Sequence, residues 1–311
     1  MGRFGRIVVV TKKTPLEDLM HRFVTREQAR FYLEHMGLSF DEYELAHIAY
    51  QDALELLKES LPGTPRALFI DRSFLPTYLF FDKDLVITLG NNGLVVNTAK
   101  YLDGQPMIGV NAEPAKEEGI LVPYVVGNVK ALLGRVLAGQ FQCKKVTMAS
   151  ASLNDGQELL AFNDLFIGRR GHASARYRIL HDGKEELQSS SGIIVTTGAG
   201  STGWMRSIIT GALTIAGHVG RARKQHTGMY NFDWSSNHLQ FAVREPWPSR
   251  STQAGIVFGR VDRDHPLTIV SSMPEDGVIF SDGVERDALS FNSGSIATIG
   301  IARKKANLIV S

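Results

Sequence analysis

The sequence predicts two unlike halves: an α/β domain of three layers on a mostly parallel sheet, over residues 1–140, followed by a β-rich domain. Three observations predict this. Up to residue 140, apolar runs of four or five residues alternate with segments of helical periodicity, the pattern of strands covered on both faces. After Gly139, strand-like runs follow one another with little helix between them. Tight-turn pairs such as Asp182-Gly183 and Asp282-Gly283 separate several of those runs.

In the first half, 7–10 reads as a buried strand. Thr25, with Gln28 three residues on, marks a helix start, and Gly37 marks a helix end. Leu45, Ile48, Ala49, Ala53, Leu56 and Leu57 recur at helical spacing and predict an apolar face, stopped by Pro62-Gly63. Buried strands are predicted at 67–70, 85–89 and 107–110, and a last helix carries Val129, Leu132, Leu133, Val136 and Leu137. In the second half, strands are predicted at 143–152, 158–162, 173–180, 186–197, 238–243, 255–261, 267–271 and 296–301. The run 173–179 alternates as a half-buried antiparallel strand does. One helix, about 204–217, interrupts them.

Composition excludes several classes. Thirty-four basic against 32 acidic residues leave a net charge of +2, too little for a nucleic-acid surface. No apolar run reaches the 18 or so residues of a membrane span. The run 7–10 is too short for a secretory core, and a lone Cys143 allows neither an internal disulfide nor a cysteine zinc site. A cytoplasmic protein without membrane or nucleic-acid partners is expected. The histidines show no metal-ligand spacing, so no metal-binding residues are predicted. No P-loop and no G-x-S-x-G elbow occur, which removes P-loop kinases and serves against a hydrolase triad.

Three segments carry chemistry. Gly198-Ala199-Gly200-Ser201-Thr202-Gly203 matches G-x-G-x-x-G after a strand and before a helix, but no acidic residue follows at the end of a second strand, as a Rossmann dinucleotide site requires. A helix N-terminus there, with the Ser201 and Thr202 hydroxyls, suits an anion. Gly90-Asn91-Asn92-Gly93 follows the 85–89 strand and precedes a helix expected from Leu94; it suits a phosphate or an ordinary turn. Asn163-Asp164 is a polar pair in an apolar pattern, and reads by itself as a turn. Arg169, Arg170 and His172 read as a solvated loop, the run Arg221-Ala222-Arg223-Lys224 with His226 as an exposed face, and Trp247 between Pro246 and Pro248 as a packed corner.

Taken in order, the 90–93 turn, Asn163-Asp164-Leu165-Phe166-Ile167-Gly168 and the stretch 192–204 resemble the NAD kinase family, most nearly its mitochondrial-type branch. The stretches 105–114, 189–192 and Arg244-Glu245-Pro246 support the resemblance, which covers residue 85 to the end. It implies phosphoryl transfer from ATP, with Mg²⁺, to the 2′-hydroxyl of NAD, a β-rich domain over 141–284, a segment 285–311 returning to the first domain, and a site between the domains. It also implies a homodimer or homotetramer. By matching position, Gly90, Asn91, Asn92 and Gly93 fall on the family's Gly-Gly-Asp-Gly loop for phosphates and the reacting hydroxyl. Asn163 and Asp164 fall on an Asn-Glu pair that binds adenosine. Gly200 and Ser201 lead into Thr202, Gly203 and Trp204, which take the Thr-Ala-Tyr positions of the same pocket. Ser191 stands where an Asp contacts the nicotinamide side.

The largest departure is Asn92. The resemblance implies an Asp there, the base that takes the hydroxyl proton, and an amide cannot accept it. Asn91 adds a side chain beside the phosphates, and Leu94 replaces a Thr. Asp82 and Asp84 lie at the wrong end of the preceding strand to substitute. General-base catalysis contributes typically ~10²–10⁴-fold, with positioning supplying much of the rest of phosphoryl transfer. A slow NAD kinase is expected. The alternatives are a nucleotide-binding protein without turnover and a related kinase acting on a lipid or sugar hydroxyl.

Overall fold

Strands without a charged residue between their ends need cover on both faces, and the first unit supplies it. The computed structural model describes residues 3–63, 65–116, 118–220 and 230–310, in two units: Met1–Lys144 with Asn307–Ser311, and Lys145–Ala306. In the first, β1 (Arg6–Thr11) leads through α1 (Pro15–Phe23), α2 (Arg26–His35) and α3 (Phe40–Ser60) to β2 (Arg66–Asp71). After β3 (Asp84–Gly90), α4 (Asn92–Ala99) leads to β4 (Pro106–Asn111), and a short β5 (Tyr124–Val125) runs into α5 (Val126–Leu137). The strands are parallel, in the order β4-β3-β1-β2. Asn307 and Leu308 pair with Pro106 and Met107 at the start of β4, and β5 pairs with its end.

All seven residues of β3 are buried. One face of the sheet packs Ile7, Val9, Ile87 and Ile108 against Tyr50 and Leu57 of α3 and Val129, Leu132 and Val136 of α5. On the other, α4 buries Leu94, Val95, Val96 and Ala99 against β3 and β4. Strand β2 differs from the prediction. It is an edge strand without a fully buried residue, and Phe69 is exposed.

The predicted face of α3 is also corrected. Leu45, Ile48 and Leu56 are exposed, whereas Phe40, Tyr50 and Leu57 are buried, flanked by the partly buried Tyr43, Leu54 and Leu61. That stripe runs 40-43-47-50-54-57-61, and aliphatic periodicity missed it because half of it is aromatic or histidine. His47 meets the Thr14 hydroxyl at 2.9 Å, and Thr14 in turn forms a capping box with Glu17 at the start of α1. Thr25 caps α2 as the sequence predicts, its hydroxyl accepting the Gln28 N–H, and Gly37 follows that helix at φ +73°.

The second unit is a sandwich. One sheet holds β6 (Gln142–Leu153), β7 (Glu158–Ala161), β9 (Ala175–His181), β10 (Lys184–Ser190), β14 (Leu267–Ser271) and β17 (Ile296–Val310). The other, in the order β13-β12-β11-β8-β15-β16, holds β8 (Asp164–Arg169), β11 (Ile193–Thr196), β12 (Leu239–Val243), β13 (Phe258–Val261), β15 (Gly277–Ser281) and β16 (Val284–Ser290). Ala175, Tyr177 and Ile179 point inward from β9 while Arg176 and Arg178 point out, the alternation expected of 173–179. The inward residues meet Ile167, Ile193, Val195, Phe241 and Ile279 of the facing sheet. The run 186–197 is two strands, broken at Gly192 (φ +102°), and Asp164 opens β8 instead of making a turn. The helix α6 (Arg206–His218) has no fully buried residue. Among the described residues no helix is long and apolar enough to cross a membrane.

Backbone crosses backbone without clearance at Gly109 in β4, where a Cβ would overlap the carbonyl oxygen of Leu121. Gly109→Ala is therefore expected to cost roughly 1–3 kcal/mol, as overpacking does. Urea denaturation with an unchanged slope measures it.

Candidate functional site

In the first unit the glycine turn is fixed by its two asparagines. Asn91 is the N-cap of α4, and its Oδ1 accepts the Leu94 N–H at 3.2 Å. This starts the helix at Asn92, two residues before the predicted Leu94. The Asn92 Oδ1 accepts the Leu121 N–H at 2.9 Å, so its oxygen is already engaged. Gly90 ends β3, buried, and a Cβ on it would lie 3.1 Å from Leu94 Cδ2 and 3.4 Å from Lys12 Cε. Gly93 faces solvent. At the opposite end of β3, Asp84 pairs with Arg6, its second oxygen meeting Arg6 Nη2 at 2.7 Å. No carboxylate of that strand serves the turn.

In the second unit, three sequence-distant pieces meet. Asp282 sits at φ +54° in the hairpin turn between β15 and β16. Its carboxylate accepts the backbone N–H groups of Phe162, Asn163 and Asp164, at 2.9, 2.7 and 3.1 Å. From the other side, Thr197 N–H donates to the Asn163 carbonyl at 2.9 Å and the Thr197 hydroxyl to the Phe162 carbonyl at 2.6 Å. Gly200 lies against Asn163 so closely that a Cβ would overlap that carbonyl. The structure thus brings together Asn163, Asp164 and the turn 197–201. Sequence reading missed Asp282 as part of this cluster, having marked it only as half of a turn pair. A carboxylate in such a turn is common, and its backbone partners lie more than a hundred residues away.

The remaining residues of that turn divide. Ser201 is buried and its hydroxyl donates to the Gly198 carbonyl at 2.7 Å, so the predicted offer of that hydroxyl to an anion is replaced by an internal bond. Thr202 and Gly203 are exposed. Trp204 is half-buried and stacks on Phe166 at 5.9 Å and 6°, with the Arg244 guanidinium 5.5 Å above its ring. Ser191 is exposed, its N–H donating to the Arg244 carbonyl. Arg169 pairs with Glu275 at the end of β8. Trp247 is 69% exposed, not the packed corner expected. Arg221-Ala222-Arg223-Lys224 and His226 lie outside the described residues.

Asp164 is the electrostatic feature of the cluster. Its Oδ1 is enclosed without a hydrogen-bond partner. Burial pushes its carboxyl up to about 7, a hydrogen bond with Thr196 pulls the other way, and the Asp282 charge raises it further. A group in this state gains by meeting a donor, such as a ligand hydroxyl or amine. No three His, Cys, Asp or Glu side chains among the described residues are grouped to hold a metal ion.

Known proteins share the fold of this chain. No family model matches the chain. The probable NADH kinase of rice (Oryza sativa subsp. japonica) is 25% identical, over 65% of this chain and 63% of its own length. The human mitochondrial protein NAD kinase 2 is 25% identical over 97% of this chain and 83% of its own. The structure of yeast NADH kinase complexed with NADH has a TM-score of 0.59 at 15% identity, covering 98% of this chain and 83% of that one. An NAD kinase from Archaeoglobus fulgidus in complex with ATP gives 0.56, at 15% identity, over 97% and 92%. By sequence the chain is similar to NAD and NADH kinases. It spans a little under two thirds of the rice relative's length. The NAD kinase fold accounts for both units, an α/β unit first and β-rich sheets after it.

Two outcomes follow for the Asp164 cluster. The native Asp164 carboxyl keeps its proton up to about pH 7, whereas an unfolded Asp releases it near ~3.9. Between those values the folded state holds the extra proton, so this group lowers stability as pH rises and the loss is complete above 7. Asp164→Asn is expected to raise the melting temperature most at pH 8 and hardly at pH 4, read by calorimetry across that range. Asp282→Ala strands three backbone N–H groups and is expected to cost on the order of 2–4 kcal/mol in chemical denaturation.

Proposed function

We propose that the chain transfers the γ-phosphoryl group of ATP to the 2′-hydroxyl of NAD, giving NADP, at a rate limited by the amide at position 92. The observation that carries this reading is the cluster of Asp282, Asn163-Asp164 and the turn 197–201. Asp282 takes three of its backbone N–H groups, while the Asp164 Oδ1 is left enclosed and without a donor. Adenosine offers such donors in its ribose hydroxyls and its exocyclic amine. The resemblance of the same residues to the family's adenosine pair supports it, as do the names of the relatives.

The roles follow from the chemistry. The glycine turn 90–93 receives phosphate through backbone N–H groups at the start of α4. The ribose oxygen attacks the γ-phosphorus, a new P–O bond forms, the bond to the β–γ bridging oxygen breaks, and ADP leaves. The hydroxyl proton goes to water. Asn92, with its oxygen on Leu121, presents Nδ2, a donor that can hold the hydroxyl oxygen in place but takes no proton. Mg²⁺ would be held largely by the triphosphate oxygens of the donor and would neutralise their charge. Trp204 and Ser191 line the dinucleotide side of this reading. A dimer or tetramer in a reducing, cytoplasm-like compartment goes with it, and sedimentation tests the assembly.

Incubation with ATP, Mg²⁺ and either NAD or NADH, followed by enzymatic assay of the phosphorylated dinucleotide, tests the activity. Slow formation of NADP is expected; binding of both nucleotides with no product above a blank overturns the reading. Asn92→Asp keeps an acceptor for Leu121 N–H, so the loop is retained, and it is expected to raise kcat by about 10²-fold or more.

A further inference from the structure

The order of the parallel sheet places one crevice by topology alone. The chain leaving β1 returns on one side, as β2, and the chain leaving β3 returns on the other, as β4. The carboxyl ends of β1 and β3 are therefore where the connections diverge, and ligands of open α/β sheets bind at such a point. Lys12 stands directly after β1. The register Val10↔Thr88 continues to set it opposite Gly90.

Lys12 is held there by its backbone. Its N–H donates to the Tyr50 hydroxyl at 3.1 Å, and that hydroxyl donates to the Leu89 carbonyl at 3.2 Å, tying the two strand ends together beneath the crevice. Burial keeps the Tyr50 phenol protonated, with a pKa pushed up to about 12. The Lys12 stem crosses Gly90, its Cε and Cδ lying 3.4 and 3.6 Å from where a Cβ would stand. Nearby carboxylates are engaged elsewhere: Glu17 takes the Thr14 N–H and the Gln51 amide, and Asp71 takes Ser73. Among the described residues the Lys12 Nζ has neither a hydrogen bond nor an ion pair. A half-buried ammonium with no anion, on a glycine turn at the switch point, is a phosphate contact in waiting.

We propose that the Lys12 ammonium is a catalytic residue that binds the triphosphate of the phosphoryl donor at this crevice and neutralises charge on the oxygens between the transferred and leaving phosphates. Lys12 was not singled out from the sequence. The inference rests on the proposed kinase reading and adds a charge the turn itself lacks. It also separates the roles of the first unit's residues: Asn92 faces the hydroxyl, Lys12 the donor.

The test uses the full chain as wild type, Lys12→Met and Lys12→Arg, titrated calorimetrically with ATP, inorganic tripolyphosphate and NAD, and assayed for NADP. Expected for Lys12→Met is at least tenfold weaker binding of ATP and tripolyphosphate. NAD affinity stays within twofold, the melting temperature is unchanged, and kcat falls on the order of 10²-fold. Lys12→Arg recovers part of both. Lys12→Met that binds ATP and tripolyphosphate as wild type does, or that loses NAD and ATP affinity equally, overturns the proposal. A wild type that binds ATP but yields no NADP overturns the kinase reading alone, because the tripolyphosphate titration still reads Lys12.

Discussion

Two missing methyl groups let distant stretches of backbone come into direct contact. At Gly109 the backbone of residues 121–122 crosses β4 in contact, and at Gly200 the turn after β11 rests on the carbonyl of Asn163. Both are steric constraints rather than attractions. A hydrogen bond contributes about 1 kcal/mol net, whereas a Cβ at either position overlaps a carbonyl oxygen and forces the backbone apart. Because Leu121 lies on β4, its N–H reaches the Asn92 side chain. Because residue 200 lies on residue 163, Thr197 reaches the carbonyls of Phe162 and Asn163.

On these contacts the two units build sites of opposite character. In the first, neutral amides do the positioning: Asn91 caps α4, Asn92 holds Leu121, and the turn carries no negative charge of its own. Such a turn suits an anion, and it lacks a group able to take a proton. In the second, one carboxylate is fully used on three backbone N–H groups while its neighbour Asp164 is left in want of a donor. Stability is given up at Asp164, where burial and the Asp282 charge act together.

Much of the architecture was legible from residue patterns. The strands 85–89 and 107–110 are uniformly apolar because both faces are covered, and 173–179 alternates because one face is not. The hairpin at Asp182-Gly183 follows from two residues with positive φ. Other elements were not legible. The face of α3 was misjudged since Tyr50 and His47 face inward through their hydrogen bonds, which aliphatic spacing does not register. Trp247 was placed in a corner by its flanking prolines, yet its ring lies exposed.

The sequence by itself determined the two-part architecture, the glycine turns and the absence of an acid at position 92, since periodicity and residue chemistry act over a few neighbours. Only the tertiary structure decided that Asp282 holds residues 162–164, that Ser201 turns inward, and that Lys12 stands beside Gly90 without a partner. Each depends on which strands are adjacent in the sheet. Adjacency joins residues tens to more than a hundred positions apart, at distances no local pattern encodes.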